Sequence, residues 1–490
     1  MKPVKKTRVD NLKIAYIGGG SRGWAWQLMR DLLIEQNLSG EVALYDIDYE
    51  AAKRNEEIGN KIERIAVYYD DSTWDPVTGH MDEDPNAVRL PSNWKYKADK
   101  TLDAALKGAD FVIISILPGT FDEMESDVHT PEKYGIYQPV GDSIGPGGII
   151  RALRTVPMYE VIGKAIKDNC PDAWVINYTN PMTVCVRTLY KVFPEIKAFG
   201  CCHEVFGTQK LLSRALEEIE GIKNVSRDEI ITNVVGVNHF TWLTKANYGK
   251  IDLFDVYKKF VEKHQKDGFN QGGDDNWANS NFKTLESVKM DLFSRYGAIA
   301  AAGDRHLAEF NPGYHYLKSP EQVKDTWHYQ LTTVASSKEE LKKRMEESDA
   351  YYNETKPFGV WPSGEEGVVQ MKALLGLGDM VTNVNIPNYG QIPNLPLGAV
   401  VETNAAFRDN SLEPVFAGDV PRGVSPLVLR ILDEQELIVE AALERDLEKA
   451  FRAFVSDPLV TIPMDEARKL FDEMCDNTAA YLTDYPKYKK

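Results

Sequence analysis

Cysteine is scarce in this chain: Cys170, Cys185, Cys201, Cys202 and Cys475 are all there is in 490 residues. Five thiols so scattered cannot build a disulfide framework, and they fit a reducing compartment. A cytoplasmic location is therefore expected. Long apolar runs are also missing. No window approaches the roughly 18 uninterrupted apolar residues of a membrane helix. The first twenty residues, MKPVKKTRVDNLKIAYIGGG, hold lysines but neither a long apolar region nor a small-residue cleavage site, so no signal peptide is expected. Positive charge is in deficit, with 57 Lys and Arg against 74 Asp and Glu and a net charge of -17. Without a basic run, such a chain lacks the electrostatic footprint for nucleic acid or an anionic membrane. Repeats and low-complexity tracts are absent. What is there is a globular composition, 43% hydrophobic and 27% charged. At ~100–200 residues per domain it suggests two or three domains.

The first 200 residues alternate between short apolar runs and amphipathic stretches. The run at Lys13–Ile17 meets a glycine turn, a helical pattern follows from Trp24, and Glu41–Asp48 is a second strand candidate ending in acids. Further strands are expected at Asp110–Leu117, Ala173–Tyr178 and Ile196–Cys202, with helices at Tyr49–Ala66, Thr101–Lys107 and Arg151–Asn169. The stretch from Tyr68 to Asn93 breaks the rhythm. It is acidic and aromatic and longer than the usual connection, and reads as an insertion. Beyond residue 203 helices dominate. Long ones are expected at Lys338–Tyr352 and Ser425–Val455, with strands at Ile230–Gly236, Trp242–Asn247 and Asp379–Ile386. The fold class expected is α/β. Residues 1–203 form a Rossmann-like parallel-sheet domain, with its insertion at about 68–93. Residues 204–490 form a mixed α+β domain for substrate, metal and oligomer contacts.

Six constellations could carry chemistry. Gly18, Gly20 and Gly23 satisfy G-x-G-x-x-G between a strand and a helix, the context in which glycines let a backbone approach a pyrophosphate. Gly18, Gly19, Gly20 and Ser21 are the candidate cradle. Asp46, at the end of the next strand, suits ribose hydroxyls and would repel a 2′-phosphate. The plain alternative is a tight strand–helix turn. Gly200–Val205, GCCHEV, ends a strand, and Cys202 could bind metal; a buried cysteine pair is the alternative. His239 in GVNHF follows another strand. Paired with Cys202 it would give two ligands for a borderline divalent ion, leaving positions open for substrate oxygens. Asn177 and Asn180 in NYTNP could hold sugar hydroxyls or simply mark a turn. Asp304, Arg305 and His306 in AGDRHLAEF, and Asp142 and Arg151 in VGDSIGPGGIIR, are either site residues or charged turns.

Together these motifs resemble glycoside hydrolase family 4, the NAD- and metal-dependent glycosidases. The resemblance runs from about Ile14 to Leu470. GGGS, NYTNP, CCHEV, GVNHF and GDRH fall in the family's order, and VGDSIGPGGIIR, GCCHEVFGTQK and AAGDRHLAEF look closest to its α-galacturonidases. The insertion at Tyr68–Asn93 is outside that pattern. The resemblance implies a fold like lactate and malate dehydrogenase. It also implies a reaction outside the two-carboxylate scheme of most glycosidases. Hydride leaves sugar C3 for NAD, the C2 proton is removed, the glycosidic oxygen is eliminated, and hydride returns after water adds. By motif position Cys202 and His239 would hold the ion, expected to be Mn²⁺. His203 would be the leaving-group acid, Asp304 the C2 base (with Tyr296 its competitor), and Asp142 an active-site acid. Asn180, Arg151, Arg305 and His306 would meet substrate.

The function expected is an exo-acting α-galacturonidase on short α-linked galacturonides, working as a homodimer or homotetramer. An α-glucosidase or α-galactosidase of the same family is the nearest alternative. A plain NAD-dependent hydroxy-acid dehydrogenase would need neither Cys202 nor His239, and a non-catalytic NAD sensor would have no use for so many polar strand ends.

Overall fold

The computed structural model describes residues 6–73, 80–271, 284–331 and 333–489. In chain order the strands are β1 (Val9–Ile17), β2 (Leu38–Tyr45), β3 (Ala66–Tyr68), β4 (Trp94–Ala98), β5 (Phe111–Ile114), β6 (Trp174–Asn177) and β7 (Lys197–Gly200). They continue with β8 (Ile231–Val237), β9 (Phe240–Tyr248), β10 (Ile251–Asp252), β11 (Ile299–Ala300), β12 (Phe358–Val360), β13 (Met380–Pro387), β14 (Val400–Arg408) and β15 (Ser411–Pro414).

The main sheet runs β15-β14-β13-β7-β6-β5-β1-β2-β4. Its six strands from β7 to β4 are parallel. Their order is that of a doubly wound dinucleotide-binding sheet, in which ligands sit beyond the carboxyl ends of the strands. Sequence pattern tracks position in this sheet. The central β5 reads FVII and is buried at every residue, as a strand covered on both faces must be. The edge strand β4 reads WKYKA and alternates, with Trp94, Tyr96 and Ala98 inside and both lysines outside.

The sheet does not stop at the expected division near residue 203. Strands β13, β14 and β15 extend it antiparallel, with Asn385 of β13 paired to Gly200 of β7. A second, antiparallel sheet is built on β9, which carries β8 along one edge and β10 and β11 along the other. The start of the expected insertion is anchored at Tyr68, the end of β3, which pairs in parallel with β12 and whose carbonyl accepts from Asp84 N at 3.0 Å; residues 74–79 of it lie outside the described residues.

Besides small shifts of element ends, four elements depart from the sequence reading. The expected strand at Asp110–Leu117 is only Phe111–Ile114. The expected helix at Tyr49–Ala66 ends at Gly59, and a short turn, Ile62–Ile65, precedes β3. The helix expected from Arg151 begins six residues earlier, at Gly145, with Pro146 in its first turn, where a missing N–H costs nothing. That helix also contains Pro157. A proline there leaves the Leu153 carbonyl without its helical donor, and the Tyr485 hydroxyl from the C-terminal tail donates to it at 2.6 Å. The long helix expected at Ser425–Val455 is two helices, Ser425–Glu444 and Leu447–Ser456. Arg445 turns left-handed at φ 58° and ends the first, and the Asp446 side chain caps the second by accepting from Lys449 N. Among the described residues no helix is long and apolar enough to cross a membrane.

Candidate active site

The glycine loop follows β1 directly. Gly18 has φ +94°, and a Cβ there would lie 1.9 Å from the Ser115 carbonyl oxygen, so only glycine fits. The amides of Gly18 and Gly19 both donate to the Tyr45 carbonyl at 2.9 Å. Asn55 braces the loop from below, donating to the carbonyls of Gly19 at 2.8 Å and Ser21 at 3.0 Å. Asp46 accepts from Gly20 N at 2.9 Å and Asp48 N at 3.0 Å. Its carboxylate thus holds the loop and the end of β2 together, with its remaining lone pairs free for hydroxyl donors. The helix Trp24–Ile34 starts after Gly23, which has no side chain to cap it; Trp24 N donates instead to the Ser21 hydroxyl at 3.2 Å, so the glycine loop runs straight into the positive end of a helix.

The other motifs gather at the carboxyl end of the same sheet. The loop before the helix Gly145–Asn169 carries Asp142 and Ser143. Asp142 accepts from the Ser143 hydroxyl at 2.8 Å and from Asn180 Nδ2 at 2.9 Å. Asn180 follows β6, is joined to Pro181 by a cis bond, and its carbonyl accepts from Arg151 Nε at 3.0 Å. Ser143 Oγ also lies 3.0 Å from His239 Nδ1. His239 sits in the two-residue turn between β8 and β9 with φ +64°, a conformation uncommon outside glycine. The His306 ring stacks on it at 3.7 Å. One ligand atom from each of Asp142, His239 and His306 lies within 4.8 Å of the others.

Burial is the main influence on His239. It holds the imidazole down at about 3, and the neighbouring His306 adds to this. A neutral ring is the form in which histidine binds a metal. For Asp142 burial alone would raise the carboxyl, but its electrostatic interaction with the two facing imidazoles and with Arg151, and the Ser143 hydroxyl bond, outweigh it and the group lies below its ordinary value. Two buried polar atoms in this cluster, His306 Nδ1 and Asn180 Oδ1, have no protein partner.

Cys202 and His203 leave the end of β7 on the flank of this triplet. Cys202 is not part of it. Its thiol is pushed up by burial and by the carboxylates of Glu402 and Glu204, and it has Asn238 as a hydrogen-bond partner. His203 is exposed, with Nδ1 3.1 Å from Glu365 Oε1. Arg151 is buried at 6% exposure, and beyond its Nε bond no described residue takes its terminal nitrogens.

Two expected site residues are placed elsewhere. Asp304 is fully buried, and its two oxygens accept from Val288 N at 3.1 Å and Lys289 N at 3.0 Å, capping the helix Ser287–Tyr296. Arg305 donates to the Pro139 carbonyl and faces Glu309. Tyr296 packs its ring edge-on against Trp242. Residues that were not singled out also belong to the cluster. Glu204 accepts from Gly303 N at 2.6 Å and lies 3.7 Å from His306. Glu402 of β14 accepts from Asn238 at 3.0 Å and Asn383 at 2.7 Å. Glu204 and Asn238 stand inside the CCHEV and GVNHF motifs and were within reach of the sequence; Glu402 and Glu365 carried no signal.

A family model described as family 4 glycosyl hydrolase matches residues 13–74 and 83–218, and its C-terminal domain matches residues 234–460. The chain belongs to that family. Among its relatives, an alpha-galacturonidase of Thermoanaerobacterium saccharolyticum is 60% identical over 97% of both chains. The crystal structure of the Bacillus subtilis protein lplD is 48% identical, with a TM-score of 0.86 over 95% of this chain and 100% of that one. A 6-phospho-alpha-glucosidase from gut microorganisms, solved in complex with NAD and Mn²⁺, has a TM-score of 0.75 at 19% identity, covering 96% of this chain and 99% of that one. The gap in the family match, between residues 74 and 83, falls inside the expected insertion.

The residues of this family 4 enzyme fit both groups the family implies. The glycine-rich turn Gly18–Gly23 joins β1 to a helix N-terminus, the place where a backbone can approach a pyrophosphate. The triplet of one carboxylate and two imidazoles, with an unpartnered Nδ1 and amide oxygen beside it, suits a borderline divalent cation.

Proposed function

We propose that this chain is an exo-acting α-galacturonidase that binds NAD through Gly18, Gly19, Gly20, Ser21 and Asp46. The observation that carries this reading is the Asp142–His239–His306 triplet, in which Asp142, tied to Asn180 beyond the carboxyl end of β6 in the sheet whose β1 leads into the glycine loop, meets two histidines from the side of the second sheet. A glycosidase of the two-carboxylate kind needs neither. When bound, NAD and a divalent ion, Mn²⁺ in this reading, supply transient oxidation at sugar C3 and Lewis-acid polarisation of the oxygens beside it.

The chain's own residues position and move protons. His239 and Cys202 would hold the ion, as expected from the sequence, with Cys202 reaching in from the flank of the triplet and Asp142 offering a ligand atom within 4.8 Å of that of His239. Asp142 is fixed by Ser143 and Asn180, so its geometry is set before substrate arrives. Asn180, held in turn by Arg151 through its carbonyl, offers its free Oδ1 to a sugar hydroxyl. Asp304 has both oxygens committed to a helix end; His306 is the member of the triplet not needed as a ligand when Cys202, His239 and Asp142 serve, and we assign it the C2 proton, since its Nδ1 is buried and unpartnered. His203 stands at the exposed rim, where the aglycone leaves.

Galacturonide specificity falls to Arg151 rather than Arg305. A guanidinium with its terminal nitrogens unclaimed matches a planar carboxylate, whereas Arg305 is spent on Pro139 and Glu309. The 60% identical relative supports the same sugar. A homo-oligomer working in the cytoplasm completes the proposal, and five cysteines free of disulfides suit that compartment.

The test is release of galacturonate from short α-linked galacturonides with NAD, Mn²⁺ and reductant, run in heavy water. Deuterium at C2 of the product and no net NADH are expected; product without deuterium at C2 excludes elimination. Comparable kcat/KM on aryl α-galactoside and α-galacturonide would overturn the choice of sugar. Arg151→Met should narrow the preference by about one to two decades, the worth of a charged hydrogen bond of ~1.5–3 kcal/mol.

A further inference from the structure

Glu365 has no part in the reaction as described so far, yet its placement is over-determined. It lies in the turn before the helix Gly367–Leu374, 162 residues from His203 in sequence. Its amide donates to Ser363 Oγ at 3.0 Å, and Ser363 N donates to Asp31 at 2.9 Å. Asp31 belongs to the helix Trp24–Ile34, which starts at the glycine loop. On the other side Glu366 takes Arg227 Nη2 at 3.0 Å and the Thr382 hydroxyl. The turn is thus tied to the NAD half of the sheet through one residue and to β13 through another. Among the described residues the Glu365 carboxylate hydrogen-bonds one side chain, His203, at 3.1 Å on Nδ1.

The two members differ in exposure. Glu365 is 15% exposed and His203 55%. The carboxylate is held under cover and the ring reaches outward from it. With Nδ1–H turned to Glu365, the imidazole has its Nε2 facing away from the carboxylate, and no described residue takes that nitrogen. His203 stays close enough to Glu204 and His239 for its charge to act on both, so the ring borders the cluster. A carboxylate that fixes the tautomer and direction of an imidazole is the usual companion of a histidine that moves protons.

We propose that Glu365 is a positioning residue that aims His203 Nε2–H at the departing glycosidic oxygen. This rests on the glycosidase reading above. Once the C2 proton has gone, the electron pair left at C2 closes the C1–C2 double bond and the C1–O bond breaks. The departing oxygen keeps that bond's pair and takes the Nε2 proton. The imidazolium becomes a neutral ring that still donates Nδ1–H to Glu365.

An acid matters most when the leaving group is a poor one. Glu365→Gln keeps the size of the side chain and removes the carboxylate. On α-linked digalacturonate its kcat/KM should fall about 10–100-fold, the scale of losing a partner that orients a working histidine. On 2,4-dinitrophenyl α-galacturonide, which needs little protonation, the loss should be under about threefold. Equal losses on the two substrates would overturn the proposal, because a merely structural role affects both alike. A second measurement does not depend on turnover. In ¹⁵N-histidine NMR, with the His203 signals assigned by their absence in His203→Asn, wild type should show Nδ1 protonated and Glu365→Gln should shift that nitrogen; unchanged signals would also overturn it. Wild type inactive on both substrates would bring down the glycosidase reading, and the acid role with it.

Discussion

Asp127 and Arg154 are a buried ion pair, 1% and 0% exposed at their side chains. Arg154 Nη1 donates to Asp127 Oδ1 at 3.1 Å, Nη2 donates to Oδ2, and Nε donates to the Pro118 carbonyl at 2.8 Å. The pair locks the helix Phe121–His129 against the helix Gly145–Asn169, one turn beyond Arg151. Asp127→Asn keeps the shape and leaves the guanidinium without a counter-charge. Breaking one side of such a pair costs ~3–5 kcal/mol. Unfolding entropy of about 2.1 cal/mol/K per residue gives roughly 1 kcal/mol/K for a chain of this length, so Tm should fall by about 3–5 °C if the chain unfolds as one unit. Replacing both partners, Asp127→Leu with Arg154→Met, removes the buried charges together. Only the Pro118 carbonyl is then left short, a loss of about 1 kcal/mol, so the double variant should be more stable than Asp127→Asn alone. Urea denaturation of the four corners of the cycle, Arg154→Met and Asp127→Leu included, measures the coupling. A coupling within about 0.5 kcal/mol of zero, the usual additivity of independent sites, or an Asp127→Asn variant as stable as wild type, would refute the claim that this pair joins the two helices.

Other perturbations reach the site more directly. Burial raises the Glu309 carboxyl to about 8, while its Oε1 holds Val140 N at 2.7 Å and Gly141 N at 2.9 Å beneath the Asp142 loop. Its contribution is therefore fully present below the ordinary value of 4.5 and is lost as pH rises through about 8; Glu309→Gln should flatten the fall in Tm between pH 5 and 9, and parallel curves for the two proteins would contradict this. Cys202→Ser should weaken Mn²⁺ binding, followed by calorimetry, at least as much as loss of an outer-shell partner, about 10–100-fold, with NAD binding unchanged; unaltered Mn²⁺ affinity would remove Cys202 from the site. Glu402→Gln must turn its amide toward Asn238 or Asn383, leaving a buried donor unpaired at about 1–3 kcal/mol; a Tm equal to wild type would show that this network carries no strain.

The sequence was most legible where the physics is local. A strand buried on both faces has to be apolar throughout, as β5 is, and an edge strand has to alternate, as β4 does. Partnership is not local. The run at Asp379–Ile386 reads as a strand from its composition, but nothing in a period of two says that it will pair with β7, nearly two hundred residues earlier. The break at Arg445 was hidden for a different reason. Glycine and asparagine announce a left-handed helix end, and arginine does not. The Asp446 cap was the available signal, since an aspartate opening a helical stretch marks a start as well as an exposed charge.

The site divides in the same way. Motifs at strand ends were legible because an open parallel sheet gathers its carboxyl ends along one edge, whatever loops follow. That brought Asp46, Asp142, Asn180 and Cys202 to one side of the molecule, where His239 joins them from the hairpin of the second sheet. The order of residues within GDRH was not enough to choose among them. On an α-helix each residue turns about 100°, so Asp304 and His306 point roughly 200° apart. The cleft can receive one of the two, and the helix must cover the other. Asp304 is covered, its oxygens spent on the amides of Val288 and Lys289, while His306 stacks on His239. A carboxylate invites assignment as a base because of its chemistry, but a helix end satisfies it just as well. Which use is made of it depends on the rotation of a six-residue helix, set by a neighbour whose own N-terminus needed a cap.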